Sequence, residues 1–171
     1  MPSGTYADAC ALVGTLTPRR WSEGAVNESM IKYFCSSVED ANPSYWDPEF
    51  AREQWGGISV PPSMIVHWLL PPPWRPGDPP GGTLAPEVLA TTVPLPGDTI
   101  INVSVDYAYV RPVLVGERLW MTEELTAVSP EKRTDLGVGH FVTTFATYGV
   151  GDDEVVATET NVLFRYQGAG S

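Results

Sequence analysis

The stretch Ser63-Met64-Ile65-Val66-His67-Trp68-Leu69-Leu70 decides the fold, because it is apolar on every side and is followed by Pro71. A helix of this composition has no polar face to turn toward water, so other elements have to cover it. We expect the helix to begin near Ser63 and to end at Pro71, since proline cannot continue a helix. The apolar run is far too short to span a membrane.

The elements that cover this helix are predicted in the second half of the chain. Apolar and polar side chains alternate with a period of two over residues 101–109, which is typical of a half-buried strand. Further strands are predicted over 118–128, 138–148 and 155–166. Long strands joined by short breaks predict an antiparallel meander. The fold class is therefore α+β, with a curved antiparallel β-sheet wrapped around a central helix.

Two shorter helices precede the central one. Asn27 is a good N-cap for a helix whose apolar residues recur at helical spacing, namely Met30, Ile31, Phe34, Cys35 and Val38. Asp47 and Pro48 open a second helix, which Gly56 ends. Residues 71–97 hold nine of the 17 prolines, and so long a loop inside a compact domain is typically a functional loop or a flap.

Composition excludes several classes of function. The chain of 171 residues has Lys+Arg 10 and Asp+Glu 21, a net charge of −11. Nucleic acid and anionic membranes are therefore not expected as partners, because both attract a basic surface. Cys10 and Cys35 cannot form a disulfide framework or a zinc site, which favours a reducing compartment. With no basic-then-apolar pattern at the start, no signal peptide is expected and the location is predicted to be cytoplasmic.

The most specific motif is Val38-Glu39-Asp40-Ala41-Asn42-Pro43-Ser44-Tyr45-Trp46-Asp47-Pro48. It resembles the Gly-Asp-x-Asn-Pro-x-His-x-Asp-Pro motif of the MaoC-like (R)-specific enoyl-CoA hydratases, a superfamily with the hot-dog fold. Glu39 stands at the motif's glycine, and Tyr45 stands at its catalytic histidine. The Asp and His of that family activate water for addition to an enoyl thioester.

Three further segments are similar to the fatty-acid-synthase-type MaoC dehydratase N-terminal domain. They are Leu12-Val13-Gly14, Val60-Pro61-Pro62-Ser63, and the turn from Tyr109 to Glu117 with its Arg-Pro-Val sequence. The resemblance covers roughly residues 10–166. It implies a single MaoC-like hot-dog domain over 1–171, with the Pro-rich loop at 71–97. The closing residues 166–171 read as an exposed tail or the start of a linker, so the chain is either complete or a domain of a longer protein.

The presence of Tyr45 at the position of the catalytic histidine changes the function that the resemblance implies. Water addition needs a base and an acid, and a phenol with a reference pKa of about 10 is a poor base near neutral pH. The implied function is that of an enoyl-CoA hydratase subunit that shapes the acyl pocket. A second hot-dog subunit, in a heterodimer or heterotetramer, would supply the Asp/His pair. Implied substrates are acyl-CoA thioesters, including bulky steroid side-chain enoyl-CoA, with no cofactor and no metal.

Two alternatives remain open, a self-sufficient homodimeric hydratase or dehydratase using Asp40 and a non-enzymatic acyl-thioester binding module. Asp40 is either the general base or a residue that holds the loop before Asn42, and the structural role is favoured. His67 is either a base that burial keeps neutral or an ordinary core residue. The candidate substrate-binding residues are Asn42, Tyr45, Pro62, Ser63, His67 and Trp68. Candidate contacts for coenzyme A phosphates are Arg111, Arg118, Lys132, Arg133 and Arg165.

Overall fold

The computed structural model describes residues 1–79 and 88–168. An antiparallel sheet forms the body of the described chain, and its strands follow the order β1-β3-β5-β6-β2, with β4 pairing with β5. The strands are β1 (Arg20–Trp21), β2 (Thr99–Tyr109), β3 (Leu119–Val128), β4 (Lys132–Thr134), β5 (Gly137–Val150) and β6 (Glu154–Gly168). The four predicted long strands and their antiparallel pairing are thus confirmed.

The predicted meander is wrong at one connection. Strand β2 does not lie beside β3 but pairs with β6 at the far edge of the sheet. Residues 110–118 cross the end of the β5–β6 hairpin, where the Val110 N–H bonds to the Val156 carbonyl. Arg111 forms ion pairs with Glu117 and Glu154 on either side of this crossing. These contacts hold the crossing segment in place, and no local sequence pattern distinguishes it from a hairpin turn.

The helices lie on the concave face of this sheet or at its ends. They are α1 (Tyr6–Cys10), α2 (Glu28–Ser37), α3 (Pro43–Trp46), α4 (Pro48–Trp55), the central 3₁₀-helix (Pro62–Leu69) and α5 (Leu89–Thr92). The predicted N-caps are confirmed: Asn27 accepts from the Met30 N–H and Asp47 from two N–H groups of α4. Gly56 ends α4 in the left-handed conformation, with φ 88°, which glycine adopts without steric cost. Among the described residues, no helix is long and apolar enough to cross a membrane.

The sheet packs on two separate hydrophobic clusters. The first cluster joins the central helix and α2 to the strand ends, through residues such as Ile31, Met64, Met121 and Tyr148. The second cluster joins α1 and α5 to the opposite part of the sheet, through Ala9, Ala90, Val93, Leu95, Leu125, Val142 and Leu163. Two clusters on one concave face leave a band of strand residues between them.

The central helix is present, but its geometry differs from the prediction. It is a 3₁₀-helix that buries Met64, Ile65, Trp68 and Leu69 in the first cluster and leaves its other side in contact with solvent. The expectation of a helix covered all round is therefore wrong. Only the side that faces the sheet and α2 is covered within the described chain.

The predicted Pro-rich loop at 71–97 is not one uniform segment. Residues 71–79 contain no helix or strand, and residues 80–87 lie outside the described part of the chain. Residues 88–97 include α5 and bury Val93 and Leu95 in the second cluster. This last third therefore belongs to the core and does not act as a flap.

Arg165 on β6 connects two other parts of the chain to the sheet. They are Pro2 and the segment 93–97, which contributes Val93 and Leu95 to the second cluster. It is 1% exposed, and its guanidinium donates to the carbonyl oxygens of Pro2, Val93 and Gly97 at 2.7–2.9 Å. Burial lowers the pKa of Arg165. A guanidinium committed to three carbonyl groups of the same chain is not free to bind a coenzyme A phosphate.

We predict that Arg165→Met lowers the free energy of unfolding by about 3 kcal/mol or more, because three carbonyl groups lose a charged donor in a buried place. Urea denaturation of the two proteins measures this loss. Arg133→Met is the matched control, since Arg133 is exposed and its replacement is expected to change stability by less than about 0.5 kcal/mol. Equal losses in the two variants would contradict the structural role of Arg165.

Candidate functional site

A cavity of about 320 Å³ lies where the motif loop, the start of the central helix and the end of β2 meet. Its walls come from residues 42–45, from residues between 59 and 65, and from residues 109–113, with Trp55 of α4 closing one side. This is the volume range of small-molecule sites in proteins. The motif that resembles the hydratase motif thus lines this cavity.

Local hydrogen bonds make the motif loop rigid. The Asn42 side chain accepts from the Ser44 N–H at 3.0 Å and caps α3, with Pro43 at its first position. The Ser44 hydroxyl accepts in turn from the Trp55 indole N–H at 3.0 Å. These bonds fix the direction of α3, so that Tyr45 is buried in the wall of the cavity.

Asp40 does not line this cavity. Its carboxylate accepts from the Asn42 N–H at 3.0 Å, and its backbone carbonyl accepts from the Trp46 indole at 2.7 Å. It borders a separate depression with Cys35 and Trp46. This is the loop-holding arrangement that the sequence favoured, while a catalytic role for Asp40 stays a prediction.

The structure brings together three of the predicted binding residues. Asn42, Tyr45 and Pro62 line the cavity, whereas Ser63, His67 and Trp68 do not. His67 is exposed, so both interpretations of it, a base kept neutral by burial and an ordinary core residue, are wrong. Trp68 is buried in the first cluster, and its indole N–H has no hydrogen-bond partner in the described part of the chain.

The groups around the cavity are poor in acid–base chemistry. Burial, and then the negative charge of Asp40, raise the pKa of Tyr45 above its ordinary value, which makes its phenol an even weaker source of a base. Arg111 is held by Glu117 and Glu154. Among the described residues that line the cavity there is no carboxylate and no imidazole.

The start of the central helix offers few donors to a thioester oxygen. Pro61 and Pro62 line the cavity and have no N–H group. The Met64 N–H is already bonded to the Pro61 carbonyl at 2.8 Å. An oxyanion needs free N–H groups aimed at it, so these residues shape the cavity more than they polarise a substrate.

Sequence reasoning missed a cluster of tyrosines that extends from the cavity wall along the sheet. Tyr109 lines the cavity and stacks on Tyr107, with ring centroids 5.6 Å apart. The ring of Tyr107 lies 6.5 Å from that of Tyr148, and the Tyr148 hydroxyl donates to the buried Glu159. Residues 107 and 109 share a face by strand periodicity, but only the observed strand order places Glu159 beside them.

Burial and the nearby charge of Glu159 determine the electrostatics of this tyrosine cluster. Burial is the first cause that raises the pKa of Tyr107, Tyr109 and Tyr148, and the negative charge of Glu159 is the second. All three phenols therefore stay protonated well above neutral pH. As neutral phenols they are hydrogen-bond donors and acceptors, not bases.

The comparisons with known proteins concern the family and the fold of the chain. The family model described as FAS1-like, dehydratase domain region, matches residues 11–159. The chain therefore belongs to the family of FAS1-like dehydratase regions, and its fold is the hot-dog fold of MaoC-like proteins. Hydratases of the MaoC type generally work without a cofactor.

Two curated relatives lie near the level of 30% identity. The chain is 31% identical over 155 residues to the "Probable enoyl-CoA hydratase alpha subunit" of Thermomonospora curvata, covering 90% of this chain and 49% of that protein. It is 30% identical over 159 residues to the "3-oxo-4,17-pregnadiene-20-carboxyl-CoA hydratase alpha subunit" of Mycobacterium tuberculosis. This match covers 89% of this chain and 48% of that protein. The chain thus spans about half the length of these curated relatives.

A solved structure is similar over nearly its full length. A chain of the ChsH1–ChsH2 complex from Mycobacterium tuberculosis superposes with a TM-score of 0.76 at 29% identity, covering 96% of this chain and 93% of that one. The similar chain was solved as part of a complex of two different components.

We predict that the protein loses stability steeply as the pH rises through about 10, the pKa of a tyrosine in the unfolded chain. Raised native pKa values mean that the unfolded state releases its phenolic protons first, so their stabilising contribution is present below pH 10 and is lost above it. Tyr148→Phe is expected to reduce this loss, measured by urea denaturation between neutral pH and about pH 11. Tyr33→Phe is the control, because Tyr33 is 79% exposed. An equal pH dependence in both variants would contradict the prediction.

Proposed function

We propose that this chain, acting as one hot-dog domain over 1–171, is the substrate-binding subunit of a two-subunit enoyl-CoA hydratase. In this proposal a second hot-dog subunit supplies the catalytic Asp/His pair. The single observation that carries the proposal is a cavity at the place of the hydratase motif whose described lining has no carboxylate and no imidazole. The names of both curated relatives include the words "alpha subunit", which supports the same division of labour.

The chemistry of hydration supports this division. Hydration of an enoyl thioester needs a base to activate water and an acid to protonate the α-carbon. Tyr45 stands where the family places its histidine, and its raised pKa removes it as a base. The cavity supplies instead an apolar wall from Val60, Ile65 and Val113, which suits the hydrocarbon part of an acyl group.

An open sheet edge supports the assignment of a hot-dog partner. Strand β2 is an edge strand of the described sheet, and all of its residues from Asn102 to Tyr109 are exposed. Its exposed side chains include Val103 and Val105, which are 49% and 39% exposed. An edge with unpaired backbone groups and apolar side chains is a template for another strand. A partner sheet continuing at β2 would lie directly beside Tyr109 and the cavity.

The proposed substrate class is acyl-CoA thioesters with bulky acyl groups, including steroid side-chain enoyl-CoA. The central 3₁₀-helix has only eight residues, and the cavity of about 320 Å³ at its start supports the proposal of room for a bulky acyl group. The steroid carboxyl-CoA in the name of the mycobacterial relative supports this class. The reaction would take place in the cytoplasm and would need no cofactor.

We predict that the purified chain alone does not hydrate short or bulky enoyl-CoA, and that a second hot-dog subunit with an intact Asp/His motif restores activity. Loss of the conjugated thioester absorbance measures the rate. Val110→Trp, in the cavity wall, is expected to lower kcat/KM for the bulky substrate about tenfold or more and to spare the short one. Val115→Trp is the matched control, exposed but outside the cavity. Bulky substrates turned over no better than short ones by the complex would overturn the substrate class.

We also predict that Asp40→Asn leaves the activity of the assembled enzyme within about threefold of wild type. Asparagine keeps the oxygen that accepts from the Asn42 N–H, so the loop is expected to stay in place. A loss of about two orders of magnitude or more without a loss of stability would identify Asp40 as a general base. It would favour the self-sufficient homodimeric hydratase over the two-subunit enzyme.

A further inference from the structure

Two buried hydroxyl groups lie in the wall of the cavity. Ser44 is 6% exposed and Ser59 is 4% exposed, and both residues line the cavity of about 320 Å³. A hydroxyl group taken out of water costs free energy unless it is hydrogen-bonded. Serines in a wall that is otherwise built by residues such as Val60, Ile65 and Val113 therefore need bonding partners.

The Ser59 hydroxyl has no hydrogen bond to the described part of the chain. Ser59 is held through its backbone, because its N–H donates to the Ser44 carbonyl at 3.4 Å and it pairs with Leu114 in an isolated β-bridge. The buried side-chain polar atoms that lack a partner among the described residues are Nε of Arg20 and Nε1 of Trp68. The Ser59 oxygen is not one of them, so it still contacts open space, and the open space that Ser59 borders is the cavity. Its proton is available to an acceptor there.

The Ser44 hydroxyl is a second donor beside it. Its oxygen accepts from the Trp55 indole N–H at 3.0 Å, and a hydroxyl that accepts one hydrogen bond keeps its own proton for another. Accepting from the indole also polarises the O–H group and makes it a stronger donor. The backbone bond between Ser59 and Ser44 holds the two residues next to each other. The cavity thus has two neighbouring hydroxyl donors on segments that are fixed by their own hydrogen bonds.

The surroundings of the two serines select the kind of group that they bind. The described lining contains no carboxylate to pair with a cation, and its guanidinium, that of Arg111, is held by Glu117 and Glu154. A neutral acceptor attached to an apolar group fits such a place. A carbonyl oxygen has two lone pairs, so it can accept from both hydroxyl groups at once. Every acyl-CoA thioester has such an oxygen.

We infer that the hydroxyl groups of Ser44 and Ser59 bind a carbonyl oxygen of the acyl group. The inference rests on the proposed function, whose binding site it defines more closely. Two carbonyl groups share this chemistry, namely that of the thioester and that of a keto group on an acyl ring. The two serines hold and polarise the carbonyl group, and the acid and the base still come from the second subunit.

The test uses two acyl-CoA probes that have no double bond to hydrate. One is cyclohexanecarbonyl-CoA, whose acyl group has only the thioester carbonyl, and the other is its analogue with a keto group on the ring. Each carbonyl is isotope-labelled in turn, and its infrared stretching frequency is measured in complex with the full chain, alone and in the assembled enzyme. A donated hydrogen bond weakens the C=O bond. We therefore expect the carbonyl that the serines hold to have a lower frequency than the same group in an alkyl thioester dissolved in an apolar solvent.

Ser59→Ala removes one donor and leaves the bond between Ser44 and Trp55 in place. In this variant we expect the frequency of the held carbonyl to rise and the affinity for the probe to fall about tenfold, the effect of one lost hydrogen bond. Ser22→Ala is the matched control, since Ser22 is 2% exposed, donates to the Gly24 carbonyl and lies outside the cavity. It also loses a buried hydroxyl group, and it is expected to leave the frequency and the affinity unchanged.

The outcomes separate this inference from the proposed function. A lowered frequency of the thioester carbonyl assigns the serines to the reacting end of the substrate, and a lowered frequency of the ring keto group alone assigns them to the remote end. With hydration by the assembled enzyme intact, the inference is overturned if neither carbonyl is lowered, or if Ser59→Ala leaves the lowering unchanged, and the hydratase function stands. Failure of both probes to bind, with no hydration in any pairing, overturns both.

Discussion

The packing of the sheet's concave face on one side of the central helix is the contact on which the rest of the site depends. Met64, Ile65, Trp68 and Leu69 pack in one cluster with Met121, Tyr148 and Ala157. Burial of such side chains contributes about 1.5–3 kcal/mol each, so this contact fixes where the helix begins. The prolines at that beginning then lie beside Tyr45 and Tyr109, and the space between them is the cavity. The position of the cavity is therefore a consequence of core packing, even though most of its lining comes from loops.

The cavity lies at the motif that resembles the hydratase motif, and its described lining contains no carboxylate and no imidazole. Three of its polar side chains already have partners within the chain. Asn42 caps a helix, Ser44 accepts a hydrogen bond from Trp55, and Arg111 forms ion pairs with two glutamates. Such a cavity is well suited to hold and orient a substrate, because these three wall residues are themselves held in place. This arrangement supports the proposal that the chain binds the substrate while another chain supplies the reacting groups.

Much of the fold follows from local sequence. The alternation over residues 101–109 predicts β2, and the caps at Asn27 and Asp47 predict their helices, because these signals are complete within a few residues. The position of β2 at the sheet edge depends on the crossing at Arg111, which joins residues 43 positions apart and leaves no local pattern. For the same reason Glu159 could not be placed among the tyrosines, and His67 could not be known to be exposed. Asn42 and Tyr45 could be predicted as site residues from the sequence, because the motif resemblance assigns their positions directly. Trp55 and Tyr109 could not, because only tertiary packing brings them to the cavity.

The bond between Arg165 and the Pro2 carbonyl has a consequence for how the chain folds as it is made. It joins residues 163 positions apart, and contacts of such high sequence separation form late because the closure of a long loop is entropically costly. During synthesis α1 emerges before β6, the strand that carries Arg165. The apolar face of α1 is therefore not covered by all of its final partners until β6 has been made. The net charge of −11 favours the solubility of such an incompletely covered state, because segments of like charge repel each other.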